Sequence, residues 1–167
     1  MSKLAKALLH WCIALVCGVI LTVSAQDAST NQLKKWEIHG TDGTTAIQDD
    51  GVIVCENKTD KDISGVTQLV VLNQKEVRPI EFACESKAEN SSGSLNESNY
   101  AIYMDIKHTD DTYTYGIAIG FRTGTHDWEK VSSSYTPAKP IKSLSYFMLF
   151  RKKTGKVWFK NAVLIQK

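Results

Sequence analysis

Tyr113 and Tyr115 stand two residues apart, just after the turn His108-Thr109-Asp110-Asp111, so a strand there would carry both rings on one face. Rings offered this way suit a flat C–H surface such as that of a pyranose, while planar polar side chains take its hydroxyls. Polar groups follow in Arg122 and in Gly124-Thr125-His126-Asp127-Trp128-Glu129, where Trp128 adds another ring. Tyr113, Tyr115, Arg122, His126, Asp127 and Trp128 are therefore the candidate ligand-binding set. The competing assignment makes His126 a loop histidine bonded to backbone and leaves most aromatics in the core. Phe121, Tyr146, Phe150 and Phe159 read as core by their pattern, and Trp36, Tyr103, Tyr135 and Trp158 bring the total above what one small core requires.

Catalytic motifs are absent. There is no nucleophile elbow, phosphate-binding glycine loop or zinc-protease helix. An acid/base pair would have to come from Asp110, Asp111, Asp127 and Glu129. Asp110-Asp111 reads as a turn, where aspartate bonds nearby backbone, and a glycosidase needs two carboxylates fixed across a cleft. A non-enzymatic domain is expected. His39, His108 and His126 have no ligand spacing, and two cysteines alone cannot hold a structural zinc, so no metal or cofactor is expected.

These residues must be positioned by strands. Alternation with a period of two, broken by turn residues, dominates the chain after residue 35. Trp36–His39, Thr45–Gln48, Val52–Cys55, Gln68–Leu72 and Ile80–Cys84 read as strands, and Asn90–Ser98 as a long polar loop. In Tyr100–Lys107, Tyr100, Ile102, Met104 and Ile106 face one way and Tyr103, Asp105 and Lys107 the other. Tyr113, Tyr115, Ile117, Ile119 and Phe121 are expected to share a face, opposite the small residues Gly116, Ala118 and Gly120. Leu144–Phe150 alternates again, and Lys152–Gly155 is expected to make a hairpin into Val157–Ile165. Such strands without helices predict an all-β antiparallel sandwich, with jelly-roll wiring the expected topology.

The first 25 residues have a separate purpose. Lys3 and Lys6, the apolar run Leu8–Val23 and the small residues Val23-Ser24-Ala25 have the order of a cleavable signal peptide, helical in its apolar part. A retained anchor is the alternative, but Ser24-Ala25-Gln26-Asp27 offers no basic stop. The organisation expected is signal peptide 1–25, linker 26–34 and one domain at 35–167. The product is expected to be secreted, extracellular and free of the membrane. The chain has 20 basic and 18 acidic residues, and the leader removes Lys3 and Lys6, leaving near neutrality. With no basic stripe to displace counterions, nucleic acid is not an expected partner. Cys12 and Cys17 leave with the signal. Cys55 and Cys84 are expected to form one disulfide, about 3–4 kcal/mol by loop closure, with two buried thiols as the alternative. Sequons at Asn57, Asn90 and Asn96 predict glycosylation in polar loops.

The segment QLVVLNQKEVRPIEFACESKAENSSG (residues 68–93) resembles a stretch of carbohydrate-binding jelly rolls, of the galactose-binding-like kind found in secreted carbohydrate-active proteins. Gly124–Glu129, Pro140-Ile141-Lys142 and Phe150–Phe159 are similar to later parts of the same module. The resemblance implies a jelly-roll β-sandwich that binds a glycan or glycoprotein. An extracellular adhesion or matrix domain that is blind to sugar is the alternative function. Where the family carries a tryptophan in a "DGTxLWG"-like stretch, this chain has Tyr115, a smaller platform. Where the family reads "WFDDV", with acidic residues that often serve a structural calcium, this chain has Lys160 in Trp158-Phe159-Lys160-Asn161-Ala162-Val163. An ammonium there opposes calcium, which wants oxygen ligands.

Overall fold

The computed structural model describes residues 30–94 and 98–167. The expected signal peptide, Cys12, Cys17 and Asn96 lie outside them. Ten strands follow in chain order: β1 (Glu37–Ile38), β2 (Thr44–Ile47), β3 (Ile53–Asn57), β4 (Ile63–Val71), β5 (Ile80–Ser91), β6 (Tyr100–His108), β7 (Tyr113–Gly120), β8 (Gly124–Tyr135), β9 (Ile141–Arg151) and β10 (Gly155–Gln166). They form two five-stranded antiparallel sheets, ordered β1-β4-β9-β6-β7 and β2-β3-β10-β5-β8. No helix occurs among the described residues.

Alternation explains the layers. Ile102, Met104 and Ile106 of β6 and Leu144, Tyr146, Met148 and Phe150 of β9 point inward from one sheet. Phe82, Cys84 and Ala88 of β5 and Val157, Phe159 and Leu164 of β10 meet them from the other. Each large side chain buried in this way contributes about 1.5–3 kcal/mol. Phe121, Tyr146, Phe150 and Phe159 are buried, as their pattern predicted.

Wiring departs from expectation in three places. Lys152–Gly155 makes no hairpin, because β9 and β10 belong to different sheets; the turn carries the chain across the sandwich. Strand β5 runs past the expected Cys84 to Ser91, two residues into the expected Asn90–Ser98 loop, and β8 occupies the polar segment after Phe121. The expected linker is tied down where it is described. Gln32 N donates to Leu164 O at 2.8 Å, and Leu33 packs against the core.

The cysteines remain free thiols, both buried. Strand β10 runs between β3 and β5, and Cys84 lies four residues along β5 from Ala88, the residue level with Cys55, so the two cysteines are separated by more than two strand spacings, over about 10 Å. A disulfide tolerates about 7 Å between Cα atoms, so the expected bridge is excluded by sheet order.

Candidate functional site

One break in the alternation creates the site. Lys107 pairs with Tyr113 and Ile106 with Thr114, but Met104 pairs with Ile117, so Tyr115 and Gly116 together oppose Asp105. This β-bulge reverses the parity of β7 at its middle. Gly116 has φ +77°, a left-handed geometry that glycine adopts freely, and its N–H donates to Asp105 Oδ1 at 3.2 Å. The shared face expected for Tyr113 to Phe121 is corrected accordingly. Ile117, Ile119 and Phe121 turn inward, while Tyr113 and Tyr115 stand on the outer face of the sheet.

Both tyrosines are open, at 52% and 67% exposure. Their ring planes are parallel to within 2° and their centroids are 5.6 Å apart. Beside them lies a concavity of about 330 Å³ bounded by Leu69, Asp105, Lys107, Ser143 and Ser145. A second concavity of about 230 Å³, lined by His39, Tyr103, Phe147, Leu149 and Arg151, adjoins it through Asp105. The two form an open trough over β7, β6, β9 and β4 with aromatic, hydroxyl and charged groups at its surface. That surface can stack a flat apolar ring face and hydrogen-bond hydroxyls around it.

The remaining members of the candidate set sit elsewhere. Arg122 follows β7 at its far end, about 20 Å of strand beyond Tyr115, where its backbone N–H donates to Glu129 Oε1 at 2.9 Å. The His126 side chain is fully buried, with Nδ1 donating to Asp127 O at 2.8 Å, and cannot reach a ligand. Asp127 accepts the Trp128 N–H at 2.7 Å. Trp128 is on the outer face of the second sheet, with Lys160 Nζ 3.9 Å and Lys87 Nζ 5.9 Å from its ring centre. The structure thus brings Tyr113 and Tyr115 together and separates both from Arg122, His126, Asp127 and Trp128. Leu69, Asp105, Lys107, Ser143 and Ser145 were not singled out. Tyr103, Asp105 and Lys107 were legible as one side of β6, but their meeting with Ser143 and Ser145 depends on strand pairing.

The carboxylates considered for catalysis are occupied. Lys139, 2.6 Å away, and Thr112 hold the Asp110 carboxyl well below the usual carboxylate range. Lys107 and Lys142 do the same for Asp111. Groups kept ionised in this way are poor general acids. His108 bonds Thr114 Oγ1 at 2.8 Å and Lys139 O at 3.2 Å, tying the turn to its neighbours. Lys160 lies 3.6 Å from Glu85, and an ammonium in that position does not fit a calcium donor set. Among the described residues no group of three or more His, Cys, Asp or Glu is placed to hold a metal.

Two expected glycosylation sites differ in geometry. Asn90 is exposed at the end of β5. Asn57 is 2% exposed, and its Nδ2 donates to Phe150 O at 2.9 Å while Oδ1 accepts from Ser64 at 2.8 Å. The nitrogen that would carry the glycan is inside the sandwich, so Asn57 is corrected from acceptor to structural residue.

No family model matches the chain. It is 26% identical over 144 residues to the tRNA(Glu)-specific nuclease WapA of Bacillus subtilis subsp. natto, and equally to the tRNA nuclease WapA of Bacillus subtilis strain 168. These matches take in 82% of this chain but only 6% of either relative. Among solved structures, the enzymatically active domain of bacteriophage CBA120 tailspike protein 4 superposes with a TM-score of 0.61 at 10% identity, over 82% of this chain and 21% of that one. A CBM4 module gives 0.56 at 14% identity, over 89% and 94% of the two chains. The CBM22-1–GH10 modules of Clostridium thermocellum xylanase 10B, complexed with xylohexaose, give 0.54 at 12%, over 79% and 26%. At such identities the likeness is one of fold. The chain is a two-sheet antiparallel β-sandwich with the fold seen in these carbohydrate-binding modules.

Proposed function

We propose that this chain is a secreted, non-catalytic glycan-binding protein that holds sugar against Tyr113 and Tyr115 in the trough of its first sheet. One observation carries the reading: two parallel tyrosine rings lie bare beside a polar concavity, on a fold shared with carbohydrate-binding modules. Asp105, Lys107, Ser143 and Ser145 supply hydrogen-bonding groups around the rings. The ion-paired state of Asp110 and Asp111 supports a non-catalytic role, and near-neutral charge argues against nucleic acid as the partner. The nuclease activity named for the WapA relatives belongs to proteins of which this chain matches a small part.

A glycan array probed with the full chain tests the reading. Binding to at least one glycan is expected, with loss in the Tyr113→Ala/Tyr115→Ala variant. Both side chains are exposed, so the double substitution shifts stability by no more than about 0.5 kcal/mol per site. A second reading, protein adhesion, draws on Ile38, Leu69 and Val71, exposed at 65%, 68% and 58% in the same sheet. A blank array together with a protein partner retained after deglycosylation selects it.

A further inference from the structure

The two ends of the trough differ in charge. Around the tyrosines every lysine already has a carboxylate: Lys107 is 2.9 Å and Lys142 3.0 Å from Asp111, and Lys139 is 2.6 Å from Asp110. Arg151, at the other end, has no carboxylate partner among the described residues. Its Nε donates to Asn99 Oδ1 at 3.2 Å, and the guanidinium carbon lies 5.3 Å from the Tyr103 ring centre. The two terminal nitrogens make no hydrogen bond among the described residues, and Arg151 lines the concavity together with His39, Tyr103, Asp105 and Phe147. His39 sits 5.1 Å from Phe147, ring to ring. Burial, and after it the Arg151 charge, lower the His39 pKa.

A guanidinium with an unused planar fork, resting on an aromatic ring and half-buried in a concavity, matches a carboxylate in shape and charge. Asp105 lies where the two concavities join, so a ligand carboxylate is favoured only toward Arg151. From Ser145, beside the tyrosines, to Arg151 is six residues of β9, about 20 Å. A ligand touching both ends must be an oligomer of several sugars.

Resting on the glycan reading above, we infer that the ligand is an acidic polysaccharide: its chain stacks on Tyr113 and Tyr115 and it seats a uronate carboxylate on Arg151, beside His39. The test measures affinity of the full chain for polygalacturonate, alginate and hyaluronan, each beside its carboxyl-reduced, neutral counterpart. At least one acidic polymer is expected to bind about tenfold more tightly than its reduced form, the worth of one charge-assisted pair. Arg151→Gln brings the two affinities together, and Arg151→Lys, which keeps the charge without the fork, leaves an intermediate preference. Equal affinity for acidic and reduced polymers, or a preference that survives Arg151→Gln, overturns the assignment while leaving glycan binding in place. Acidic-polymer binding that survives Tyr113→Ala/Tyr115→Ala also overturns it, because the attraction would then lie outside the trough. A full chain that binds no polymer and no arrayed glycan sinks both readings.

Discussion

Asn57 shows how a single side chain ties the two sheets together. Its amide links β3 to Phe150 in β9 and to Ser64 in β4, with further contacts to Asp62 O at 3.3 Å and Lys153 O at 3.2 Å. Removing it strands buried carbonyls and a hydroxyl, each costly in a dry interior. Asn57→Ala is expected to lower unfolding free energy by about 3 kcal/mol, read from denaturant titration. Peptide mass analysis of the protein expressed in glycosylating cells is expected to find glycan at Asn90 and none at Asn57. A sequon there was legible, but its burial was not, because the partners that enclose Asn57 come from Phe150 and Lys153, more than ninety residues on.

At the scale of the element, β7 depends on its bulge. A regular strand would put Tyr113, Ile117 and Phe121 on one side, which either buries the tyrosines or exposes the isoleucines. Gly116 resolves this by taking a left-handed conformation with open space around it. The Cβ added by Gly116→Ala meets nothing within 4 Å, so the cost is conformational, about 1–2 kcal/mol. The variant is expected to lose glycan affinity more than its stability loss accounts for, since straightening the strand tilts Tyr115 away from Tyr113. Titration of a bound glycan at a temperature where the variant remains folded checks this. Alternation predicted most strands here because the pleat imposes it on any half-buried sequence. It failed on β7 because an inserted residue changes parity without altering composition, and on β8 because Ser132-Ser133-Ser134 is a polar edge strand with few apolar residues to alternate.

At the scale of the whole molecule, the described residues are held by a continuous apolar core with no covalent tie between Cys55 and Cys84. A reducing agent is therefore expected to leave the thermal midpoint unchanged, and the Cys55→Ala/Cys84→Ala variant is expected to fold. Burial pushes both thiols up to about 12. Burial raises Tyr100 and Tyr146 in the same direction. In the unfolded chain the thiols lose their protons near 9.0, so above that pH the unfolded state binds fewer protons than the folded one. Stability is then fully present below about pH 9 and falls as pH rises toward 12. Thermal midpoints followed from neutral pH to about pH 11 are expected to show this decline, smaller in the double cysteine variant. A drop beginning below pH 8 would point to some other group.

Residue order alone determined that the chain after residue 35 is all-β and antiparallel, because a period of two with turn residues every ten or so positions leaves apolar faces that only sheets can bury. It also marked Tyr113 and Tyr115 as a pair on one face. Which face, and in what company, was decided by tertiary structure. Register at the Gly116 bulge turned the rings outward, and the β6–β9–β4 pairing set Asp105, Ser143, Ser145 and Leu69 beside them. The same sheet order kept Cys55 from Cys84 and sent Trp128 to the opposite surface. Such neighbours are joined by hydrogen-bond ladders between distant segments, and local alternation carries no information about which strands will meet.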